Sequence, residues 1–261
     1  MLPAQGGIVS SRVASTKWYV HLHPADAPDR LTMQTLRDQW HANGIRMEYN
    51  GPSPFYDQVL ANAYSVGLSV IFITGGTLPT AAGNGAYALA AGVSAKRYAG
   101  YGLTWEIANE PDLFYGQGGV AKYIALAKAT ALAIRANDAT ATILTGGTSG
   151  KDRDFVFEIA AGKALAPYVD GVAIHPYGID YNSMGSATVI VSLATGMPVS
   201  ITEWASADGQ GIGQAMASAK GLASAFCVYE YQDQSGEIAV HDPAYGLLDS
   251  GAWAAFAAVA N

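Results

Sequence analysis

The sequence predicts an α/β fold, a closed (β/α)8 TIM barrel made by a single domain over residues 1–261. Three observations point to it. Short β-rich runs alternate with Ala-rich helical stretches from end to end, the pattern of a parallel sheet with crossover helices. Eight such runs occur within 261 residues, close to the roughly 250 residues typical of these barrels. No glycine-rich nucleotide turn follows the first run, as an open doubly wound sheet would favour.

In chain order, strands are expected at residues 17–23, 44–49, 68–74, 103–108, 142–145, 171–175, 199–203 and 225–231. Each is short and rich in β-branched, aromatic or aliphatic side chains, which suit a pleated, buried surface. Helices are expected between them at residues 32–43, 56–66, 86–101, 119–136, 153–165, 186–195 and 214–222, and one at residues 252–260 closes the ring. Little sequence is left for the connections. Short βα loops, and with them a shallow, open cleft, are therefore expected. No linker, low-complexity tract or charge run marks a second domain.

Composition narrows the partners. Charged residues make up 13% of the chain, against roughly 25% in an average soluble domain. The net charge of -7 argues against nucleic acid and anionic membranes, which would want a basic face. A neutral substrate suits it better. Cys227 is the single cysteine, so an intrachain disulfide and a multi-cysteine metal site are both ruled out. In the run Phe226-Cys227-Val228 it reads as a small buried hydrophobe. Residues Met1 to Arg12 lack the basic start and apolar stretch of a signal peptide, and no apolar run reaches the ~20 residues needed to span a bilayer. A soluble monomer is expected, secreted if a leader has been removed.

In a barrel, chemistry gathers at the C-terminal ends of the strands, and here the polar residues collect there. The first run ends in His21 and His23, the second in Arg46 and Glu48, and the fourth in Asn109-Glu110-Pro111-Asp112. The sixth ends in His175-Pro176-Tyr177, the seventh in Glu203-Trp204 and the eighth in residues 230–233. Glu110 and Glu203 are about ninety residues apart, or three βα units of roughly thirty, so the two carboxylates face one another across the mouth. Such a pair is what glycoside cleavage needs: one group protonates the departing oxygen, and the other attacks the anomeric carbon or activates water. The gap between them separates retaining from inverting chemistry, and sequence does not measure it.

The segment Trp105-Glu106-Ile107-Ala108-Asn109-Glu110-Pro111-Asp112 resembles the strand-four signature of clan A glycoside hydrolases, and Ile201-Thr202-Glu203-Trp204 resembles their strand-seven segment. Arg46 in Gly44-Ile45-Arg46, and His175 and Tyr177 in the sixth run, are similar to the clan's strand-two and strand-six positions. The tail from Tyr229 to Asp233, followed by Tyr245 to Leu248, is similar to its eighth strand and closing loop. This resemblance implies a retaining β-glycosidase with Glu110 as acid/base and Glu203 as nucleophile, without cofactor or metal. It implies that Asn109 holds the sugar 2-hydroxyl, and that Arg46, His175 and Tyr177 orient Glu203 and keep it ionised. One departure stands out. The tryptophan often found on the eighth strand is absent, and Tyr229 or Tyr231 is expected in its place, with Trp204 as a further carbohydrate contact. An endo-acting enzyme on a polysaccharide is the form expected from an open groove.

Other readings of the same residues are weaker. Glu106, four residues deeper than Glu110, reads as a buried, hydrogen-bonded group. Glu48 lines the cleft or braces Arg46. Phe114, Tyr115 and Tyr181 lie in or beside the loops, where their rings could meet sugar. The glycine-rich stretch from Thr145 to Asp152 lacks the first glycine and the Ser or Thr after Lys151 that a phosphate loop needs. A metal-dependent amidohydrolase-like barrel would use His21 and His23, but it also needs a strand-four lysine and a strand-five histidine, and neither is present. A non-catalytic carbohydrate-binding barrel has no use for an acid opposite a nucleophile.

Overall fold

The structure, a computed structural model, describes residues 15–26, 28–75, 83–116, 119–150, 155–205, 209–229 and 250–261. Eight parallel strands form one sheet: β1 (Lys17–His21), β2 (Gly44–Tyr49), β3 (Ser69–Thr74), β4 (Thr104–Ile107), β5 (Thr142–Thr145), β6 (Val172–Ile174), β7 (Val199–Trp204) and β8 (Ala225–Val228). Their order is β5-β4-β3-β2-β1-β8-β7-β6. The ends of that order meet through a parallel bridge between Leu144 and Gly171, and the amide of Thr145 donates to the carbonyl of Gly171 at 3.2 Å. The sheet therefore closes into the expected barrel.

Helices α1 (Arg30–Asp38), α2 (Pro54–Ser65), α3 (Asn84–Arg97), α4 (Pro111–Tyr115), α5 (Val120–Asn137), α6 (Val156–Leu165), α7 (Met184–Thr195), α8 (Gly209–Ala219) and α9 (Ser250–Ala260) surround it. The five-residue α4 is an addition to the expected set, and it starts directly behind Glu110, where Pro111 occupies the first helical turn that proline tolerates. Helix α1 begins on Asp29, whose carboxylate accepts from the amide of Thr32 at 2.7 Å and so satisfies one of the orphan donors of the first turn. The connection between β8 and α9, residues 229–249, is the exception to the short loops expected; only Tyr229 of it is among the described residues.

Alternation along the strands builds two layers of core. Trp18, Val20, Ile45, Met47, Phe72, Trp105 and Ile201 face the helices and belong to the large outer cluster. Tyr19, Ile71, Ala225 and Cys227 form a separate small cluster, packed inside the ring at its lower end, as the strict two-residue period requires. Burial pushes the Cys227 thiol up from its ordinary value, in keeping with an inert packing role. Above this plug the inward positions change from apolar to polar, and Arg46, Glu106, His175 and Thr202 are all fully buried.

Candidate active site

Arg46 organises the mouth. A guanidinium carries five N–H donors and no acceptor, and each has a partner here. Its Nε donates to Glu106 Oε2 at 2.7 Å, and Nη2 donates to Glu106 Oε1 at 3.1 Å and to Asn109 Oδ1 at 2.8 Å. Its Nη1 donates to Glu203 Oε2 at 2.7 Å and lies 3.0 Å from His21 Nδ1. Register explains the last contact, because His21 and Arg46 are paired neighbours on β1 and β2. Glu106 is the counter-charge. Burial would raise its pKa, but the charge of Arg46 and a hydrogen bond from His175 bring it down to about 2. The hydroxyl of Thr202 adds a donor to Glu106 at 3.0 Å.

Glu203 reaches the same ring through a break in the strand pattern. Ile201 and Trp204 of β7 align with Phe226 and Val228 of β8, so β7 carries one extra residue in that interval. This β-bulge lets the consecutive residues Thr202 and Glu203 both turn inward, while Ile201 and Trp204 stay in the outer core. Trp204 is 4% exposed and packs edge-on to Phe226 with centroids 6.1 Å apart. The hydroxyl of Tyr177 donates to Glu203 Oε1 at 3.1 Å. Burial acts to raise the Glu203 pKa, yet the charges of His175 and Arg46 outweigh it and hold the carboxyl below its ordinary value.

Glu110 stands at the end of β4 on a contorted backbone. Ala108 and Glu110 have φ of 69° and 44°, a left-handed conformation that costs about 1–3 kcal/mol per non-glycine residue and clusters at functional sites. Neighbouring hydrogen bonds hold it. The amide of Ala108 donates to Thr74 Oγ1 at 3.1 Å, and that of Glu110 donates to the carbonyl of Gly147 at 3.0 Å. Gly146 and Gly147 make this approach feasible: a Cβ on Gly146 would lie 2.4 Å from the carbonyl oxygen of Ala108, and one on Gly147 would lie 2.3 Å from the His175 ring. Asp112 ties the other end down by accepting from the amide and hydroxyl of Ser149 at 3.0 and 2.7 Å.

His175 sits between the two glutamates and is fully buried. Its Nδ1 is 3.4 Å from Glu110 Oε1 and 4.0 Å from Glu203 Oε2. Burial would lower its pKa, but Glu203 and the hydrogen bonds to Glu106 and Glu110 raise it to about 9. One carboxylate oxygen of Glu110, one of Glu203 and one nitrogen of His175 all lie within 4.8 Å of one another. Asn109 is half-buried, and because its Oδ1 faces a donor-only arginine, its Nδ2 donors are the ones left to face other groups. Tyr229 follows β8, with its ring 5.0 Å from that of His21. Tyr231, Glu230 and Asp233 lie outside the described residues.

A second cluster borders the first. Glu48 accepts from His21 Nε2 at 3.0 Å and pairs with His23 Nδ1 at 3.2 Å, while His23 Nε2 is 3.3 Å from the Tyr229 hydroxyl. Glu48 therefore meets Arg46 only through His21. His21, His23 and Glu48 have a metal-like spacing, with their ligand atoms within 4.8 Å. The tautomer of His21 weighs against an ion. Arg46 is a donor alone, so Nδ1 must accept and Nε2 must carry the proton that goes to Glu48. A metal at Nε2 would need Nδ1 to donate outward, into a cation 3.0 Å away. At the Glu110-His175-Glu203 triad an ion would have to displace the second ring proton of His175, which Glu203 and the hydrogen bonds to Glu106 and Glu110 favour keeping.

Several of these parts escaped sequence reasoning. The roles of Thr202, Gly146 and Gly147 were missed, although two adjacent polar residues in a buried strand, Thr202-Glu203, are a readable sign of a bulge.

Fold and site together define a (β/α)8 barrel with two opposed glutamates braced by a buried arginine and a buried histidine. The sequence matches no protein-family model and no curated protein. Solved structures with the same fold include a family 39 glycoside hydrolase from the gut symbiont Bacteroides cellulosilyticus WH2, with a TM-score of 0.75 and 15% identity over 96% of this chain. They also include a monomeric beta-xylosidase from Caulobacter crescentus CB15, with a TM-score of 0.72 and 16% identity over 95% of this chain and 69% of that one. The endoglucanase Cel5A from the hyperthermophilic Thermotoga maritima has a TM-score of 0.70 and 15% identity over 92% of this chain and 96% of that one. The chain spans 64% of the length of the family 39 enzyme. At these identities the likeness is one of fold. Among the described residues, no helix is long and apolar enough to cross a membrane.

Proposed function

We propose that this chain is a retaining β-glycoside hydrolase of clan A type that works by double displacement. The observation that carries the reading is the gap between the two carboxylates, oxygen to oxygen no more than 4.8 Å. Retaining glycosidases hold the pair about 5–5.5 Å apart, whereas inverting ones need about 6.5–9.5 Å to admit a water. Their surroundings assign the roles. Glu203 accepts from Arg46 and Tyr177 and is kept ionised, as a nucleophile must be. Glu110 Oε1 lies 3.4 Å from His175 Nδ1, and His175, whose pKa is raised to about 9 by Glu203 and the hydrogen bonds to Glu106 and Glu110, is placed to supply it with a proton.

In the first step Glu110 protonates the glycosidic oxygen as the bond to the anomeric carbon breaks and a Glu203 oxygen attacks that carbon. The aglycone leaves as an alcohol. In the second step Glu110 takes a proton from water, the water oxygen attacks the anomeric carbon, and the bond to Glu203 breaks, so configuration is retained. Asn109, with its amide nitrogen turned away from Arg46, donates to the 2-hydroxyl. Tyr177 and Tyr229 line the sugar's seat. The substrate is an uncharged oligo- or polysaccharide, cut internally. A beta-xylosidase, an endoglucanase and a beta-galactosidase are among the proteins of like fold, which favours a β-linked glycan without selecting its sugar.

Product release from a panel of β-linked polysaccharides, with wild type and Glu203→Gln side by side, tests this directly. The expected result is a ladder of oligosaccharides from one glycan, absent with the variant. Turnover by Glu203→Gln near the wild-type rate would remove the nucleophile assignment.

A further inference from the structure

The two glutamates divide the rim of the barrel into two arcs. One holds the ends of β5 and β6 and is largely filled: residues 143–150 are buried without a break, as are His175 and Pro176, and the half-buried Tyr177 closes it over Glu203. The other holds the ends of β3, β2, β1 and β8; on the last three of these Glu48, His23 and Tyr229 are each half-buried and face the cleft from neighbouring strands. Among the described residues, this second arc is the one that presents partly exposed polar groups to a sugar ring bonded to Glu203. Its aglycone must point to Glu110, which protonates the leaving oxygen.

On that arc we propose that Glu48 is a specificity-determining residue, accepting hydrogen bonds from hydroxyls of the sugar that Glu203 attacks and restricting the enzyme to uncharged sugars at that position. This rests on the retaining-glycosidase reading above. Glu48 lies on β2 two residues beyond Arg46, one rung higher on the same inward face. Its carboxylate is 35% exposed, whereas His21 behind it is 1% exposed. An ionised carboxylate offers about four lone-pair sites. The N–H of His21 and that of His23 occupy two of them, so acceptor capacity remains on the exposed edge. Both imidazoles clamp the group from the side and below, so it meets a sugar already oriented. Burial favours its protonation, but the hydrogen bonds from His21 and His23 prevail and hold it well below the usual carboxylate range. The two imidazoles thus favour its anionic form, and a uronic acid in the same seat would bring a second carboxylate against it.

The same clamp links the sugar's seat to the nucleophile. Glu48 accepts from His21 Nε2, His21 Nδ1 accepts from Arg46 Nη1, and Arg46 Nη1 also donates to Glu203 Oε2. Glu48 is therefore three hydrogen bonds from the attacking group, and a hydroxyl bound to it four.

The test is equilibrium binding by calorimetry, which needs no turnover. The probes are phenyl 1-thio-β-D-xyloside, -glucoside, -galactoside, -mannoside and -glucuronide, with wild type, Glu48→Gln and Glu48→Ala. Wild type should bind at least one uncharged probe and bind the glucuronide roughly tenfold more weakly or worse, the loss of one charge-assisted hydrogen bond. Glu48→Ala should weaken the preferred probe by about the same factor and narrow its margin over the glucuronide. Glu48→Gln, which keeps the shape and one acceptor, should lie between, and unfolding midpoints of all three proteins establish that they are folded. Equal binding of the glucuronide and the uncharged probes by wild type would overturn the proposal, as would unchanged affinities in Glu48→Ala or no binding of any uncharged probe. The nucleophile assignment is judged separately by turnover in Glu203→Gln, so failure of one is distinguishable from failure of the other.

Discussion

Arg46 and Glu106 are each 0% exposed and bonded at 2.7 Å, and removing one partner of such a pair strands the other as a buried charge. Arg46→Met should therefore lower stability by about 3–5 kcal/mol in urea unfolding; a loss under 1 kcal/mol would mean that Glu106 finds water or a proton instead. Arg46→Lys should recover only part, since an ammonium has three donors for five acceptors. His175 gives a pH-dependent signal. Its pKa is about 9 in the folded chain, above the roughly 6.5 of an unfolded histidine. The stability it contributes is therefore complete below about pH 6.5 and lost as pH rises through about 9, roughly 3 kcal/mol in all. Unfolding midpoints of wild type should fall across that window, and those of His175→Asn should not. Replacing the acid is expected to show in the leaving group. Glu110→Ala should slow substrates with poor leaving groups far more than activated aryl glycosides, and equal slowing of both would remove its acid role.

Secondary elements position these residues through their irregularities. The bulge in β7 turns Glu203 inward beside Thr202, and the left-handed residues Ala108 and Glu110 bend the end of β4 over the mouth. Gly146 and Gly147 let β5 press against that bend and against His175. A methyl on Gly147 would overlap the His175 ring at 2.3 Å, so Gly147→Ala should cost about 1–3 kcal/mol through overpacking. Its larger effect should be on kcat, because the displaced imidazole sits between both glutamates. Steady-state kinetics beside thermal unfolding would tell the two apart: a loss of stability with kcat unchanged would mean that the ring moves without disturbing either carboxylate. These irregularities were hard to read in the sequence, since a bulge or a left-handed residue depends on what the neighbouring strand presents.

At the scale of the molecule, closing the sheet brings together residues distant in the chain. Arg46 and Glu203 are 157 positions apart and meet because β2 and β7 lie across one ring. Among the described residues the closed barrel leaves no open sheet edge to pair with a second copy, and the expected behaviour in sedimentation is that of a 27.1 kDa monomer. A concentration-dependent shift to twice that mass would require an interface on the helical exterior. With a net charge of -7, weak binding to polyanionic glycans is expected as well, in line with an uncharged substrate.

The sequence by itself determined the eight-unit barrel and the strand ends at which chemistry could gather. Both follow from local pattern: apolar runs of strand length, Ala-rich stretches of helix length, and polar residues where each run stops. It also carried the pair Glu110 and Glu203, because strand-end position and the number of intervening units are countable along a chain. Tertiary structure alone decided the gap of no more than 4.8 Å between them, the complete use of Arg46's donors, the tautomer of His21 and the attachment of Glu48 to two histidines. Those depend on register, on one extra residue in β7 and on two glycines that admit close approach. They are relations across the barrel that no local pattern encodes, because each is set by where the ring closes.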